Sequence, residues 1–280
     1  MLSYRHGYHA GNVGDVLKHA VLAWLIEALK KKPAPFAYLE THAGAGRYDL
    51  SAAQAEKTGE YREGIGLLWG REDTPEVLVP YLSAVAALNP PSEALRHYPG
   101  SPRVARHLLR PQDRMVLMEL HGGEYPVLKQ EFAGDKQVAV HHRDGYEGLK
   151  ALLPPVEKRG LVLIDPSYEV KSEYAQVVAA VQAAHRRFAG GIIAVWYPVL
   201  ARELTDGFKE AFRASGLRKI LDVELTTRPE DSVGMRGSGM LVLNPPWQFD
   251  AAMEALLPRL ARVLDPEHAG RGAVAWLVPE

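Results

Sequence analysis

The sequence predicts an α/β protein built on a mostly parallel sheet, and three observations carry that expectation. Short apolar runs rich in Val, Ile and Leu recur along the chain. Most are separated by stretches with helical periodicity, so strands alternate with helices. Crossover helices of that kind set the strands parallel and cover both faces of the sheet. The last two runs lack a helix-length connection, so they read as an antiparallel pair at one sheet edge.

The first element is a helix in "GDVLKHAVLAWLIEALKKKP", where Leu17, Val21, Trp24, Leu25 and Ala28 share one face. Asp15 can cap its start, and three lysines followed by Pro33 close its end. "FAYLE" (36–40) is a short buried strand that leads into the turn "THAGAGRYD". Residues 50–108 break the rhythm, with "YREGIGLLWG", a helical run over 76–87 and the turn-rich "LNPPSEALRHYPGSP". They read as a mainly helical subdomain inserted after the first strand, within a main domain of residues 1–49 and 109–280. Six more strands follow in "MVLMEL" (115–120), "QVAVHH" (137–142), "LVLID" (161–165), "GIIAVWYP" (191–198), "KILDVEL" (219–225) and "GMLVLN" (239–244). Helical patterns lie around 124–132, 146–152, 173–187 and 201–214. Only "TTRPEDSVGMRGS" joins the last two strands.

Composition narrows the function classes. With 280 residues and 47% apolar content, a full core is within reach and global disorder is excluded. No apolar run approaches the roughly 20 residues of a membrane span. "MLSYRHGYHAGN" has no apolar signal core, which leads to the expectation of a cytoplasmic protein. There is no cysteine, which removes disulfides, thiolate metal sites and cysteine nucleophiles, and with them cytosine-C5 methylation chemistry. The net charge of −1 confines any nucleic-acid surface to a local patch.

In a doubly wound sheet, ligands bind beyond the carboxyl ends of the strands. After the first strand stand Gly44 and Gly46, where glycine lets the backbone approach a nucleotide; a tight turn alone can also demand them. Asp49 stands where a dinucleotide fingerprint has its third glycine, which argues against NAD. The second strand ends at Glu119, an acid placed to accept hydrogen bonds from ribose hydroxyls. Its distance from Gly46 far exceeds the roughly 20 residues of a plain unit, and the excess matches the inserted segment. The third strand ends at Asp144 and Gly145. Asp144 can receive an adenine amino group, and by itself it reads equally as a helix N-cap. The fourth strand ends at Asp165, followed by Pro166, Ser167 and Tyr168.

These residues resemble the adenine-N6 amino-methyltransferases, which use S-adenosylmethionine and carry the motif D/N/S-P-P-Y/F. The resemblance covers essentially the whole chain. "MLSYRHGYHAGNVGDVLKH", "THAGAGRY", "TGEYREGI", "YPGSP", "RGLVLIDPSYE", "WYPV", "SGMLVLNPPW" and "VAWLVPE" are similar to blocks of the RlmJ family, whose members methylate N6 of one adenine in 23S ribosomal RNA. The resemblance implies a Rossmann-like class I S-adenosylmethionine-dependent methyltransferase fold of seven strands, and a monomer acting on 23S ribosomal RNA without membrane contact. It implies catalytic roles for Asp165, Pro166 and Tyr168. It places His19, His42 and Ser101 at the cofactor with Gly44, Gly46, Glu119, Asp144, Gly145 and Asp165. Tyr4, with His6 and Lys18, would lie where substrate and cofactor meet. Ser167 departs from the motif's second proline, but the carboxylate, the carbonyl of residue 166 and the aromatic all remain.

Other features are weighed against this reading. Asn244-Pro-Pro-Trp247 has nearly the same letters, yet it ends the last strand, away from the other strand-end residues, and Pro-Pro serves there to end a strand. The histidines His6, His9, His19 and His42 have no acid or cysteine at ligand spacing, so no metal site is expected. Arg103, Arg106, His107, Arg110 and Arg114 form either an RNA-contacting face or a solvated charged one. The D-P-x-Y letters do not tell RNA from DNA, and a non-catalytic nucleic-acid-binding module is the alternative of a different class. The polar segment before Asp15 reads as a mobile gate that closes over the site, or as a dispensable tail.

Overall fold

Helix α1 (Val13–Lys30) starts two residues before Asp15, because Asn12 caps it: the Asn12 side chain accepts the Asp15 amide at 2.9 Å. Asp15 in turn accepts the amide of Gly11, the residue before the cap, at 2.8 Å. Relieved of the cap position, the Asp15 carboxylate turns inward and is buried. The computed structural model describes residues 4–90, 94–265 and 270–280. The first three residues of the polar N-terminal segment and residues 91–93 of the turn-rich stretch lie outside the described residues.

After α1 the chain runs through β1 (Ala37–Glu40), β2 (Arg47–Asp49), α2 (Ala53–Thr58), α3 (Val79–Ala86), β3 (His97–Pro99) and α4 (Ser101–Leu108). Strands β2 and β3 form a small antiparallel ribbon. Then come β4 (Arg114–Glu119), α5 (Glu124–Glu131), β5 (Val138–His142), α6 (Gly145–Leu152), β6 (Gly160–Ile164), α7 (Ser172–Arg187), β7 (Ile192–Val199) and α8 (Arg202–Arg213). The chain closes with β8 (Ile220–Thr226), β9 (Gly237–Leu243), α9 (Phe249–Leu264) and β10 (Arg271–Val278).

The main sheet has the order β10-β8-β9-β7-β6-β1-β4-β5. Strands β5, β4, β1, β6 and β7 are parallel, and β9 runs antiparallel to both β7 and β8. This is the Rossmann-like methyltransferase arrangement the sequence leads one to expect, with one difference. Among the described residues the sheet has eight strands, because β10 pairs antiparallel with β8 and forms the outer edge. The β8–β9 pair is therefore antiparallel as expected but does not itself end the sheet. Helix α9, which feeds β10, contains Pro258, and an internal proline argues against a helix in a sequence reading.

Burial follows the two sheet faces. On one face, α1, α9 and α4 cover Tyr38, Leu117, Leu163 and Val242; on the other, α7 and α8 cover Leu39, Val162, Val195 and Leu241. The chain leaves β1 for β4 and β5, then returns to β6 on the other side of β1. The carboxyl ends of β1 and β6 therefore flank the point where the winding reverses, which is where such sheets bind ligands.

In the basic group expected as either an RNA face or a solvated one, His107 is exposed beside Ser83 and each of the four arginines has a carboxylate partner. Arg103 pairs with Glu131, Arg106 with Asp135 at 2.5 Å, and Arg114 with Glu157 at 3.1 Å. Arg110 binds Asp113 at 2.8 Å and donates to the carbonyls of Lys32 and Ala34. They fasten α4 and the start of β4 to the neighbouring elements.

Candidate active site

A cavity of about 720 Å³ opens at the carboxyl ends of β1, β4, β5, β6 and β7, within the size range of small-molecule sites. Its first half is built from the turn after β1. Gly44 has φ +59°, and a Cβ there would lie 2.4 Å from the Tyr48 hydroxyl, so glycine is required twice over. The Gly44 amide donates to Glu119 Oε2 at 2.7 Å, and the His121 amide to Glu119 Oε1 at 2.6 Å. Burial pushes the Glu119 carboxyl above its ordinary value, against the pull of those two amides. Asp144 caps α6 through Oδ1, which accepts the amides of Tyr146 and Glu147, so the cap reading holds while the same residue also lines the cavity. Gly145 packs so tightly on β1 that a Cβ would meet the Thr41 carbonyl at 2.3 Å.

His42 lines the same half, edge-on to Tyr146 at 5.2 Å, and burial lowers its imidazole to about 4. Ser101 Oγ donates to Glu40, which also accepts the Tyr38 hydroxyl at 2.8 Å. Burial raises the Glu40 carboxyl to about 8, with Ser101 and Tyr38 opposing the rise. Two of the expected cofactor residues do not line the cavity. Gly46 shapes the turn, with its carbonyl accepting the Gly100 amide at 2.9 Å. His19 is fully buried in α1, hydrogen-bonded to the Tyr98 hydroxyl at 2.7 Å, and burial lowers it to about 3. The uncharged His19 ring is thus a packing element behind the wall.

The second half centres on Asp165, immediately after β6. Lys18 Nζ lies 2.7 Å from Asp165 Oδ2 and 2.7 Å from Asp15 Oδ1. Burial alone would lower the Lys18 ammonium, but the two carboxylates hold it well above its ordinary value. Asp15 Oδ2 accepts from His6 Nε2 at 2.9 Å, and His6 Nδ1 lies 2.8 Å from the Tyr4 hydroxyl. Tyr4 stacks on His9 at 5.6 Å. The chain Tyr4–His6–Asp15–Lys18–Asp165 is continuous, and it packs the N-terminal segment onto the cavity wall.

Pro166, Ser167 and Tyr168 continue along the cavity. Tyr168 has φ +53°, a costly conformation for a bulky residue that persists only when its surroundings impose it. Here the Tyr168 amide donates to Glu173 at 2.7 Å, its hydroxyl donates to the Trp196 carbonyl at 2.7 Å, and its ring packs on Tyr174 at 4.5 Å.

The similar string at Asn244 lies elsewhere. β9 pairs antiparallel with β7, setting Leu243 opposite Ile193, so Asn244 sits at the end of the sheet away from the cavity. Its side chain donates to the carbonyls of Ala189 and Gly191, both at 2.8 Å. Trp247 is 87% exposed.

Comparison with known proteins gives the family. The sequence profile of the family described as "Ribosomal RNA large subunit methyltransferase D, RlmJ" matches residues 33–278. The chain belongs to the RlmJ family. Relatives from Haemophilus influenzae and Escherichia coli, each named "Ribosomal RNA large subunit methyltransferase J", are both 50% identical over 281 residues, covering 100% of either chain. The crystal structure of a protein from Legionella pneumophila is 40% identical and superposes with a TM-score of 0.89 over 96% of this chain and 98% of that one. The similarity read from the sequence blocks is thus a true family relationship.

Among the residues at this RlmJ-family site that the sequence reading does not single out are Asp15, Glu40 and Trp196. Asp15 reads as a cap in the sequence, but Asn12, three residues earlier, takes that role and leaves the Asp15 carboxylate to Lys18 and His6. Glu40 is an acid at the end of β1, a position its own strand pattern marks. Trp196 lines the cavity from β7, hidden in an apolar run that reads as core.

Proposed function

We propose that this RlmJ-family chain transfers a methyl group from S-adenosylmethionine to N6 of a specific adenine in 23S ribosomal RNA. The observation that carries the reading is Asp165-Pro166-Ser167-Tyr168 at the β6 end, with Asp165 Oδ2 held by Lys18 and Oδ1 without a hydrogen bond among the described residues. We also take residues 50–108 as an inserted subdomain within a methyltransferase domain of 1–49 and 109–280.

The donor set of the first half fits S-adenosylmethionine. Each Glu119 oxygen accepts one amide and keeps a lone pair for a ribose hydroxyl, and Asp144 Oδ2 makes no hydrogen bond among the described residues and can take the adenine amino group. Gly44, Gly145, His42 and Ser101 complete the pocket on this reading, while Gly46 and His19 support it from behind. When bound, the cofactor supplies a methyl group activated by its positive sulfur.

An exocyclic adenine amine is a poor nucleophile, because its lone pair is delocalised into the ring. Asp165 Oδ1 and the Pro166 carbonyl are acceptors for its two N–H groups, and accepting both turns the nitrogen lone pair out of the ring plane. As the N–C bond forms, the nitrogen sheds one proton, and Asp165 Oδ1 is placed to take it. Lys18, held by Asp15, fixes the Asp165 carboxylate so that little reorganisation accompanies the reaction. Tyr168 offers the wall on which the base stacks, worth roughly 1–3 kcal/mol. Tyr4, positioned by His6, closes the opposite side. The base reaches this pocket only after leaving its stack.

Incubating the protein with 23S ribosomal RNA and labelled S-adenosylmethionine, then mapping the label, tests the proposal. One N6-methylated adenine is expected, with no label in a DNA hairpin of the same sequence. Label on another atom or another base overturns it.

A further inference from the structure

The β8–β9 connection lies on the far side of Asp165 from the cofactor half. In the sheet order β9-β7-β6-β1-β4-β5, Gly44, Glu119 and Asp144 stand at the ends of β1, β4 and β5, while this connection rises beyond β7 and β9. Thr227, Arg228, Val233, Gly234 and Met235 line that side of the cavity. An incoming nucleotide therefore has this loop as its neighbour.

The loop has a fixed base and an open tip. At the base, the amides of Thr227 and Arg228 donate to the Arg236 carbonyl at 2.9 and 3.1 Å, and the Arg236 amide donates to Val199 at 2.8 Å. The Arg236 guanidinium is buried and donates to the carbonyls of Leu200 and Glu230. At the tip, Val233 is 95% exposed, and Gly234, with φ +87°, has no atom within 4 Å of where its Cβ would stand. Val233, an aliphatic side chain in a mostly polar loop, is thus held out at the cavity mouth on a clamped stem.

Two exposed cations lie at this loop. Arg228, which lines the cavity with Val233, is 3.9 Å from Glu63; Arg202 is 3.7 Å from Glu230 and 3.3 Å from Asp206, all five side chains being more than half exposed. Such pairs contribute little and yield readily to phosphates. An apolar tip on a loop that carries the exposed Arg228 guanidinium at the same cavity mouth has the chemistry of a side chain that enters a base stack while its neighbours hold the backbone.

We propose that Val233 is a wedge: it fills the space the target adenine vacates in the RNA stack and so holds the base in the cavity. This rests on the adenine reading above. Val233 is a positioning residue, because it touches the neighbours of the reacting base and not the base itself.

The test compares wild type, Val233→Ser and Val233→Leu on two RNA hairpins. In one the target adenine is stacked; in the other an abasic position beside it removes the stack to be wedged. On the stacked hairpin, Val233→Ser should lower kcat/KM by about tenfold, the scale set by unstacking one base step, and Val233→Leu should restore it. On the abasic hairpin, Val233→Ser should stay within about twofold of wild type. With 2-aminopurine at the target position, the fluorescence rise on wild-type binding should fall by about half or more with Val233→Ser. Melting temperature should not change, given the exposure of Val233. Equal rates for wild type and Val233→Ser on the stacked hairpin overturn the wedge, as does an equal loss on both hairpins. If wild type methylates adenine in neither hairpin, the adenine reading itself fails, and the wedge with it.

Discussion

Removing the Lys18 ammonium while keeping its bulk, as in Lys18→Met, leaves two carboxylates facing each other across a buried gap. Each lies 2.7 Å from Nζ, and the side chains of Lys18 and Asp15 are 5% and 1% exposed. At an effective dielectric of about 20, each contact amounts to about 6 kcal/mol of attraction, before the cost of desolvating the ions. Breaking such a buried pair costs about 3–5 kcal/mol net, because the remaining charges stay buried without a partner. For a chain of this size that lowers the melting temperature by roughly 6–20 °C. The effect has a defined pH dependence. Burial alone would raise the Asp15 carboxyl, but His6 and Lys18 hold it well below 3.8 in the folded protein. A depressed carboxyl contributes stability that is present above its unfolded value and lost as pH falls through the folded value. The gap between wild type and Lys18→Met should therefore be full at neutral pH and narrow as pH falls below about 4. Adding Asp15→Asn should recover part of the melting temperature without recovering methylation. Thermal melts followed by circular dichroism between pH 3 and 7 measure this. A Lys18→Met melting temperature within about 2 °C of wild type at pH 7 would show that the network contributes nothing to the fold.

Asp165→Asn should reduce methyl transfer by about a hundredfold or more with S-adenosylmethionine affinity changed far less; single-turnover rates near wild type would remove Asp165 as the amine's partner. Glu119→Ala should weaken cofactor binding by about 1–3 kcal/mol, measured by calorimetry, and unchanged affinity would take it out of the ribose site. Trp247→Ala should alter stability by less than about 0.5 kcal/mol and leave methylation intact, because Trp247 is 87% exposed; a large loss in denaturant titration would contradict its placement. Glu40, raised from 4.5 to about 8, keeps its proton in the folded protein where the unfolded chain has released it, so wild type should lose stability between those pH values. Glu40→Gln should remove that slope, and parallel melting curves for the two proteins from pH 5 to 8 would refute it.

Much of the fold and the strand-end row was readable because both depend on local pattern. A parallel strand exposes its last residue at one rim, so Glu119, Asp144 and Asp165 announce their place by ending apolar runs. The links between distant segments were not readable in the same way. Lys18 looks like any charged residue of an amphipathic helix until β6 brings Asp165, far along the chain, to 2.7 Å from it. The arginines after residue 100 carry the same letters whether they meet phosphate or Glu131, Asp135 and Glu157. The N-terminal segment looked like a gate or a tail because it is polar, yet its polar groups are satisfied inward, His6 by Asp15 and Tyr4 by His6.

The two strings Asp165-Pro-Ser-Tyr and Asn244-Pro-Pro-Trp show what a motif needs beyond its letters. Both follow an apolar strand, and the second is nearer to the general methyltransferase pattern at its two prolines. What separates them is strand direction. β6 runs parallel to β1, so its carboxyl end opens onto the cavity. β9 runs antiparallel to β7, so its carboxyl end lies at the opposite rim. That polarity was already written in the chain, because the link between β8 and β9 is too short for a crossover helix and forces a reversal. The same reversal places the start of β9, with Gly237, on the cavity rim and lifts residues 227–236 over it. A strand that cannot bring its own motif to the site thus brings its preceding loop instead, which is how Val233 comes to stand at the cavity mouth while Trp247 faces solvent on the far side of the sheet.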